Sequence, residues 1–294
     1  MKKYLLPGLV ANAATLGIHW IYDYKYLETL AKKESLLFMK QERVHFEAAE
    51  NSYYSYPNSE VGDVTVQGDI LIWLYEAMKD NPNLSQKDYS KLLYQQFKPG
   101  GTYSGYVESY AKKHVITILA KSINLDVPKL EVMDDHLVGF VPYLVCKELD
   151  LSIEKAWELT NVYSQDKDYY QYFKMFDALF ASLPKLGLKK AIEEAIHLGP
   201  AKYQTALMKA IEMSDANKFI EQYSGRACAI KFSIPLIIHI LYHTNSYEEA
   251  VSYNAPLGGA VSDRNTMIGA ISAQVSKVPE DWLEKTAKLN QTLI

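Results

Sequence analysis

Apolar residues recur at helical spacing along almost the whole chain of 294 residues, and no other feature restricts the fold as strongly. From Ile70-Leu71-Ile72-Trp73-Leu74-Tyr75 on to Met78 they cover most of the helical circumference, so this helix is expected at the centre. Asn81-Pro82-Asn83 ends it. Ser85 with Asp88 forms a capping-box signature for a helix running toward Phe97, which Pro99-Gly100-Gly101 closes. Further helices are expected at about 106–123, 129–149, 153–163, 169–183, 188–198, 202–213 and 215–223. Ser246 with Glu249 marks another start. Phe232 to Tyr242 reads as a buried core helix, and Pro279 suits the first turn of a last helix through Trp282 and Leu289. Strand signals are few and do not alternate with helices, so the class is all-α. With no Pro/Gly/Ser-rich linker and no repeat of fixed period, residues 1–294 read as one multi-helix domain.

Composition excludes several classes. Apolar types at 48% and charged types at 22% suit a globular chain with a sizeable core. A formal charge of −4 offers no basic field for nucleic acid, and no apolar run reaches the ~18 residues that span a bilayer. Two cysteines, Cys146 and Cys228, with no CxxC, point to a reduced, cytoplasmic protein. Lys2-Lys3, the apolar run Tyr4 to Val10 and Ala11-Asn12-Ala13 imitate a signal peptide. Pro7 interrupts that run, and Gly17 to Asp23 looks like part of a site, so the segment is read as part of the fold. Arginine is scarce: only Arg43, Arg226 and Arg264 occur, whereas tyrosine is abundant at 23.

Four stretches interrupt the helical pattern and carry the chemistry. Arg43 to Val66 is polar, includes Tyr53-Tyr54-Ser55-Tyr56-Pro57, and reads as a long loop of the binding-lip type. Gly17-Ile18-His19-Trp20-Ile21-Tyr22-Asp23 follows the first helix. Gly62-Asp63-Val64-Thr65-Val66-Gln67-Gly68-Asp69 leads into the central helix. Gly258-Gly259-Ala260-Val261-Ser262-Asp263-Arg264-Asn265-Thr266 leads into another. The last two place a Gly-containing turn with polar side chains at a helix N-terminus, which suits an anion. The plainer reading makes Asp63, Thr65, Ser262 and Asp263 N-caps. His239 and His243 are spaced like a metal pair but read as core histidines. Asp134-Asp135-His136 reads as an exposed acidic turn, and Cys228 as a packing residue.

Taken in order, these segments resemble the ADP-ribosylglycohydrolase superfamily, within it the branch that includes the J1-crystallin and selenoprotein J proteins. The resemblance runs from about Leu6 to Leu283. It rests on Gly17-x-His19-Trp20-Ile21-Tyr22-Asp23, Gly62-Asp63-x-Thr65-x-x-Gly68-Asp69, Gly225-Arg226-Ala227-Cys228 followed by Pro235, and Gly258-Gly259. It implies an all-α bundle whose motifs converge on one cleft. It also implies hydrolysis of a glycosidic, ADP-ribosyl-type bond with two Mg²⁺ ions. Those ions are held by Thr-Asp-Asp at the second motif and by Asp-x-Asp-Thr after Gly-Gly, with an acidic residue in the first helix.

The chain departs from that pattern at nearly every ligand. Thr65 stands, but the two Asp positions are Val66 and Gln67, those after Gly-Gly are Ala260 and Ser262, and the first-helix acid is Asn12. A frame shifted by three residues offers Asp263 and Asn265. Too little negative charge remains for two divalent cations, so no metal and no cofactor are expected. Asn12, Asp63, Thr65, Gln67, Asp69, Ser262, Asp263 and Arg264 are expected to meet, with Arg264 paired to Asp63 or Asp263 or clamping a phosphate. Asp63, Asp69 and Asp263 are the candidate acids or bases. His19, Trp20, Tyr103 and Tyr106 are candidate contacts to an ADP-ribose-like small molecule, with nucleic acid and membrane excluded as partners. Two functions follow: a hydrolase with an altered site, or a non-catalytic relative that binds such a ligand or serves a structural role.

Overall fold

A computed structural model describes residues 2–125 and 136–293. Among them are seventeen α-helices, five short 3-10 turns and two isolated β-bridges, so the class is all-α. Two helices form the centre: Leu5–Ala14 at the N-terminus and Val261–Ser272 near the other end. All ten residues of the first and all twelve of the second are buried; the first is almost wholly apolar, and the polar first turns of the second are hydrogen-bonded internally. They approach closely because glycine stands at the contact. A Cβ on Gly8 would lie 2.7 Å from the Thr266 carbonyl oxygen, and one on Gly269 would lie 2.6 Å from the Ala11 Cβ. The free N-terminal N–H groups of the first helix are answered from afar. The Glu148 carboxylate accepts from the amides of Lys3, Tyr4 and Leu5 at 3.0, 2.7 and 3.1 Å.

Around this pair pack the expected central helix (Val66–Asp80), the helix Val141–Glu148 and a continuous apolar core. Ile230–His243 is buried over most of its length despite Pro235. Both expected serine N-caps form, with Ser85 accepting from the Asp88 amide and Ser246 from the Glu249 amide.

The differences from expectation have local causes. The stretch 43–66 is not wholly loop, because Arg43–Ala48 forms a short helix anchored by the buried Phe46. The expected last helix is two, Glu280–Lys285 and Ala287–Thr292, with Pro279 at the N-cap position of the first. The 129–149 helix is described only from the 3-10 turn Leu137–Phe140 onward, and Asp134 and Asp135 lie outside the described residues. His239 is a core residue: its ring stacks on Phe219 at 4.9 Å, and its Nδ1 bonds the Ala210 carbonyl at 3.0 Å. Among the described residues, no helix is long and apolar enough to cross a membrane.

Candidate functional site

The start of the Val66 helix, the start of the Val261 helix and the turn after the first helix meet in the buried centre. Asn12 joins them. Its Nδ2 donates to the Thr65 hydroxyl, the Ser262 carbonyl and the Thr266 hydroxyl at 3.0, 3.1 and 3.1 Å, while its Oδ1 accepts the Thr65 amide at 2.9 Å. Thr65 occupies the N-cap position but does not cap; its hydroxyl donates to Asp263 Oδ1 at 2.9 Å. The Gln67 amide nitrogen donates to the Asp263 carbonyl at 3.4 Å, and the Ser262 hydroxyl bonds the Thr15 hydroxyl at 3.2 Å. Ser262 and Asp263 lie in the first helical turn rather than capping it.

His19 and Glu108 complete this centre. The Ser262 amide donates to His19 Nδ1 at 3.2 Å, which leaves the ring proton on Nε2. That Nε2 has no hydrogen-bond partner and lies 3.8 Å from Asp263 Oδ2. Burial, with the Arg264 charge second, pulls the His19 pKa down to about 3, so the ring is neutral. Burial pushes the Asp263 carboxyl above the usual carboxylate range, against the opposing Thr65 hydrogen bond and Arg264 charge. Glu108 is 4% exposed; burial raises its carboxyl further, and the nearby Asp263 adds to the effect. Sequence reasoning missed Glu108. The sequence signal was only an acid directly before a helix, which reads as a helix start; in the structure the Glu108 side chain does not cap Ser109–Ser122.

Three expected members are not in this centre. Asp63 lies at the surface, where Lys288 and the Glu60 amide hold its carboxylate. Asp69 faces Asp63 and Lys288, and burial, with Asp63 second, pushes its pKa up to about 7. Arg264 pairs with neither Asp63 nor Asp263. Its Nε donates to Asn254 Oδ1 at 3.0 Å and its Nη atoms to the Arg226 and Gly258 carbonyls at 2.9 and 2.6 Å. It is fully buried and unable to clamp a phosphate. The shifted frame also fails at Asn265, whose amide bonds Thr15 and Asn254. The expected anion-binding N–H groups are occupied as well: Val66 donates to the Tyr56 hydroxyl and Ser262 to His19.

Beside the centre opens a cleft of about 630 Å³, lined in part by Tyr56, Asp63, Asp69, Trp73, Tyr103 and Tyr106. An aromatic wall divides cleft from centre. Trp20 packs against His19 at 4.8 Å, Tyr106 at 5.4 Å and Tyr56 at 6.0 Å between ring centroids. Trp20 is buried and holds a left-handed backbone, φ 69°, that lets its amide donate to the Gly259 carbonyl at 2.9 Å. It is a wall residue rather than an exposed stacking platform. Tyr56 and Tyr106 face both compartments.

The centre's donor set does not suit a pair of Mg²⁺ ions, which need several free carboxylate oxygens at about 2.0–2.1 Å. Val66 and Ala260 offer no lone pair, Asn12 and Gln67 turn N–H groups inward, and Thr65 and Asp263 bond each other. Among the described residues, no group of three or more His, Cys, Asp or Glu is placed to hold a metal.

No family model matches the chain. In sequence it is similar to crystallin J1A of Tripedalia cystophora, with 22% identity over 314 aligned positions that span 99% of this chain and 92% of that protein. In structure it is similar to a chain titled ADP-ribosylglycohydrolase-related protein complex. The TM-score is 0.69 at 9% identity, over 99% of this chain and 93% of the other. The chain therefore shares the fold of that ADP-ribosylglycohydrolase-related chain, the all-α architecture that the motif resemblance implied.

Proposed function

We propose that this chain, which carries the ADP-ribosylglycohydrolase fold, binds an ADP-ribose-like small molecule without a two-metal hydrolytic centre. One observation carries the reading: the side chains at the motif positions are hydrogen-bonded to one another, Asn12 to Thr65 and Thr266, and Thr65 to Asp263. Motif side chains bonded to one another in this way are a polar core behind a cleft rather than a cation cage. The ligand's base and sugars meet Tyr103, Tyr106 and Trp73, and its phosphates meet Lys288 in the cleft and Lys112, whose ammonium lies over the Tyr106 ring at 5.0 Å. Asp63 and Asp69 then act as cleft polar groups.

Calorimetric titration with ADP-ribose, with and without EDTA, tests the reading. Binding of equal strength in both is expected. Two sub-millimolar sites for Mg²⁺ or Mn²⁺, or EDTA-sensitive release of ADP-ribose from ADP-ribosylated protein, would overturn it.

A second reading, metal-free hydrolysis, is favoured by the buried acids Glu108 and Asp263, both pushed above the usual carboxylate range by burial, since a carboxyl that holds its proton is the general acid of glycosidic cleavage. Turnover in EDTA that D263N abolishes would establish it in place of the first.

A further inference from the structure

A second cavity, of about 320 Å³, shares no lining residue with the cleft. Its walls are the helices Gln86–Phe97 and Ser109–Ser122 and the turn 161–163 that follows the helix Ile153–Thr160. Hydrogen bonds join these walls. His114 Nε2 donates to the Ser90 carbonyl at 2.9 Å, and the Tyr89 hydroxyl bonds the Tyr163 hydroxyl. The cavity is therefore formed before any ligand arrives.

The lining grades from basic and exposed to apolar and buried. Lys87, Lys113 and Lys121 line it, with the first and last exposed. At the other extreme are Tyr110 and Tyr163, 3% and 4% exposed, with Ile118 and Val162 half-buried beside them. Among the described residues no carboxylate lines the cavity. The acids carried by the same helices are engaged elsewhere. Asp88 accepts from the Ser85 hydroxyl and Lys91, and Glu158 from Lys155 and the Gln86 amide. Among the described residues, neither Lys87 nor Lys121 has a carboxylate at ion-pair distance.

This chemistry narrows the occupant. Two ammonium charges with no carboxylate beside them favour an anion, and a dianion over a monoanion. A volume of about 320 Å³ holds a small molecule. Ile118, Val162 and the Tyr163 ring gain from an apolar body on that molecule, which a bare inorganic ion lacks.

The geometry points to this cavity as a binding site for a phosphate monoester of a small apolar or aromatic alcohol. Lys87 and Lys121 hold the phosphate, and Ile118, Val162 and Tyr163 cover the organic group. The site is separate from the cleft and independent of the ADP-ribose reading.

His114 reports its occupancy. Burial holds the imidazole below its usual pKa, against its bond to Ser90, and the Lys121 charge adds to the effect of burial. A phosphate at Lys121 offsets that charge, so the ring titrates higher when the site is filled. NMR titration of the His114 ring with phenyl phosphate and with inorganic phosphate tests the assignment on wild type, K87Q, K121Q and the double variant. Both lysines are exposed, so their loss leaves the fold intact, which melting temperatures check. Phenyl phosphate is expected to raise the His114 pKa and to bind about tenfold more strongly than inorganic phosphate. Each single variant is expected to weaken phenyl phosphate about tenfold. K288Q, on the rim of the other cleft, is expected to leave that affinity unchanged. The assignment is overturned by a His114 pKa that phenyl phosphate does not move, by equal affinity for inorganic phosphate, or by affinity that survives in the double variant. Affinity lost in K288Q would also overturn it, by placing the ligand in the cleft.

Discussion

Arg264 and Asp263 are neighbours in sequence, yet they do opposite work. Consecutive residues on a helix point about 100° apart, so the two side chains cannot enter one pocket. Asp263 faces Thr65 and His19, whereas Arg264 faces the Gly258 and Arg226 carbonyls and Asn254. The sequence shows the motif but not this division, which depends on the helix beginning at Val261. Because the three bonds of Arg264 are buried and diverge, Arg264→Lys retains a single point donor and leaves acceptors unpaired. Urea denaturation is expected to show a loss of about 3 kcal/mol, and a loss under half of that would mean the guanidinium fork is dispensable. Asp69 gives a pH-dependent counterpart. Its folded pKa of about 7 stands above the ordinary aspartate value of 3.8, so the fold holds a proton that the unfolded chain releases. The stability this supplies at low pH is lost as pH rises from about 4 to 7. Asp69→Asn removes that loss. The variant should match wild type near pH 4 and exceed it by about 1–3 kcal/mol at pH 8, allowing for solvent in the cleft. A difference that stays constant from pH 4 to 8 would refute the assignment.

At the scale of elements, several helix starts were legible because their caps are side-chain chemistry that acts locally. Ser85, Ser246, Ser152 and Asp215 each accept an amide three residues on. What was not legible depends on partners distant in sequence. Glu148 caps the first helix from 143 to 145 residues away, and Asn12 reaches Thr65 across 53 residues. The second motif illustrates this limit: Asp63, Thr65 and Gln67 are close in sequence, yet Asp63 faces the cleft and the other two face the buried centre. The contact between the Leu5 and Val261 helices carries a prediction whose sign runs against intrinsic preference. Gly to Ala in a helix interior ordinarily adds about 1 kcal/mol. At Gly269 a methyl would meet the Ala11 Cβ and the Pro7 carbonyl oxygen, both at 2.6 Å, and both belong to the opposing helix. Gly269→Ala is therefore expected to destabilise by about 1–3 kcal/mol through forced separation of the pair. A thermal melt at or above that of wild type would show that the two helices part without cost.

In the whole molecule, the last helix of the described chain builds one wall of the cleft and packs on the first. Leu289 and Leu293, in and just after the helix Ala287–Thr292, are 4% and 1% exposed within the main core that also holds Leu5 and Leu9. The same helix sends Lys288 to Asp63, and the Lys285 carbonyl before it fills the space a side chain on Gly62 would need, at a φ of +91° that itself favours glycine. The segment that begins the second motif is thus held in place by the opposite end of the chain, a dependence that no local pattern reveals. Cutting the chain after Thr286 removes both leucines and the Lys288 ammonium together. Burial of two leucine side chains is worth about 3–6 kcal/mol, so thermal denaturation should show a clear fall in stability. Two finer effects separate lost packing from lost charge. In the truncated protein the amides of the Leu5–Ala14 helix should exchange faster, because their covering layer has gone. Asp69 should also titrate higher, because Lys288, which lowers its pKa, is absent while Asp63 remains. Lys288→Ala alone should reproduce the titration shift and leave exchange in the first helix unchanged. If the point variant instead loosens that helix as much as the truncation does, the wall is held by its ion pair rather than by Leu289 and Leu293.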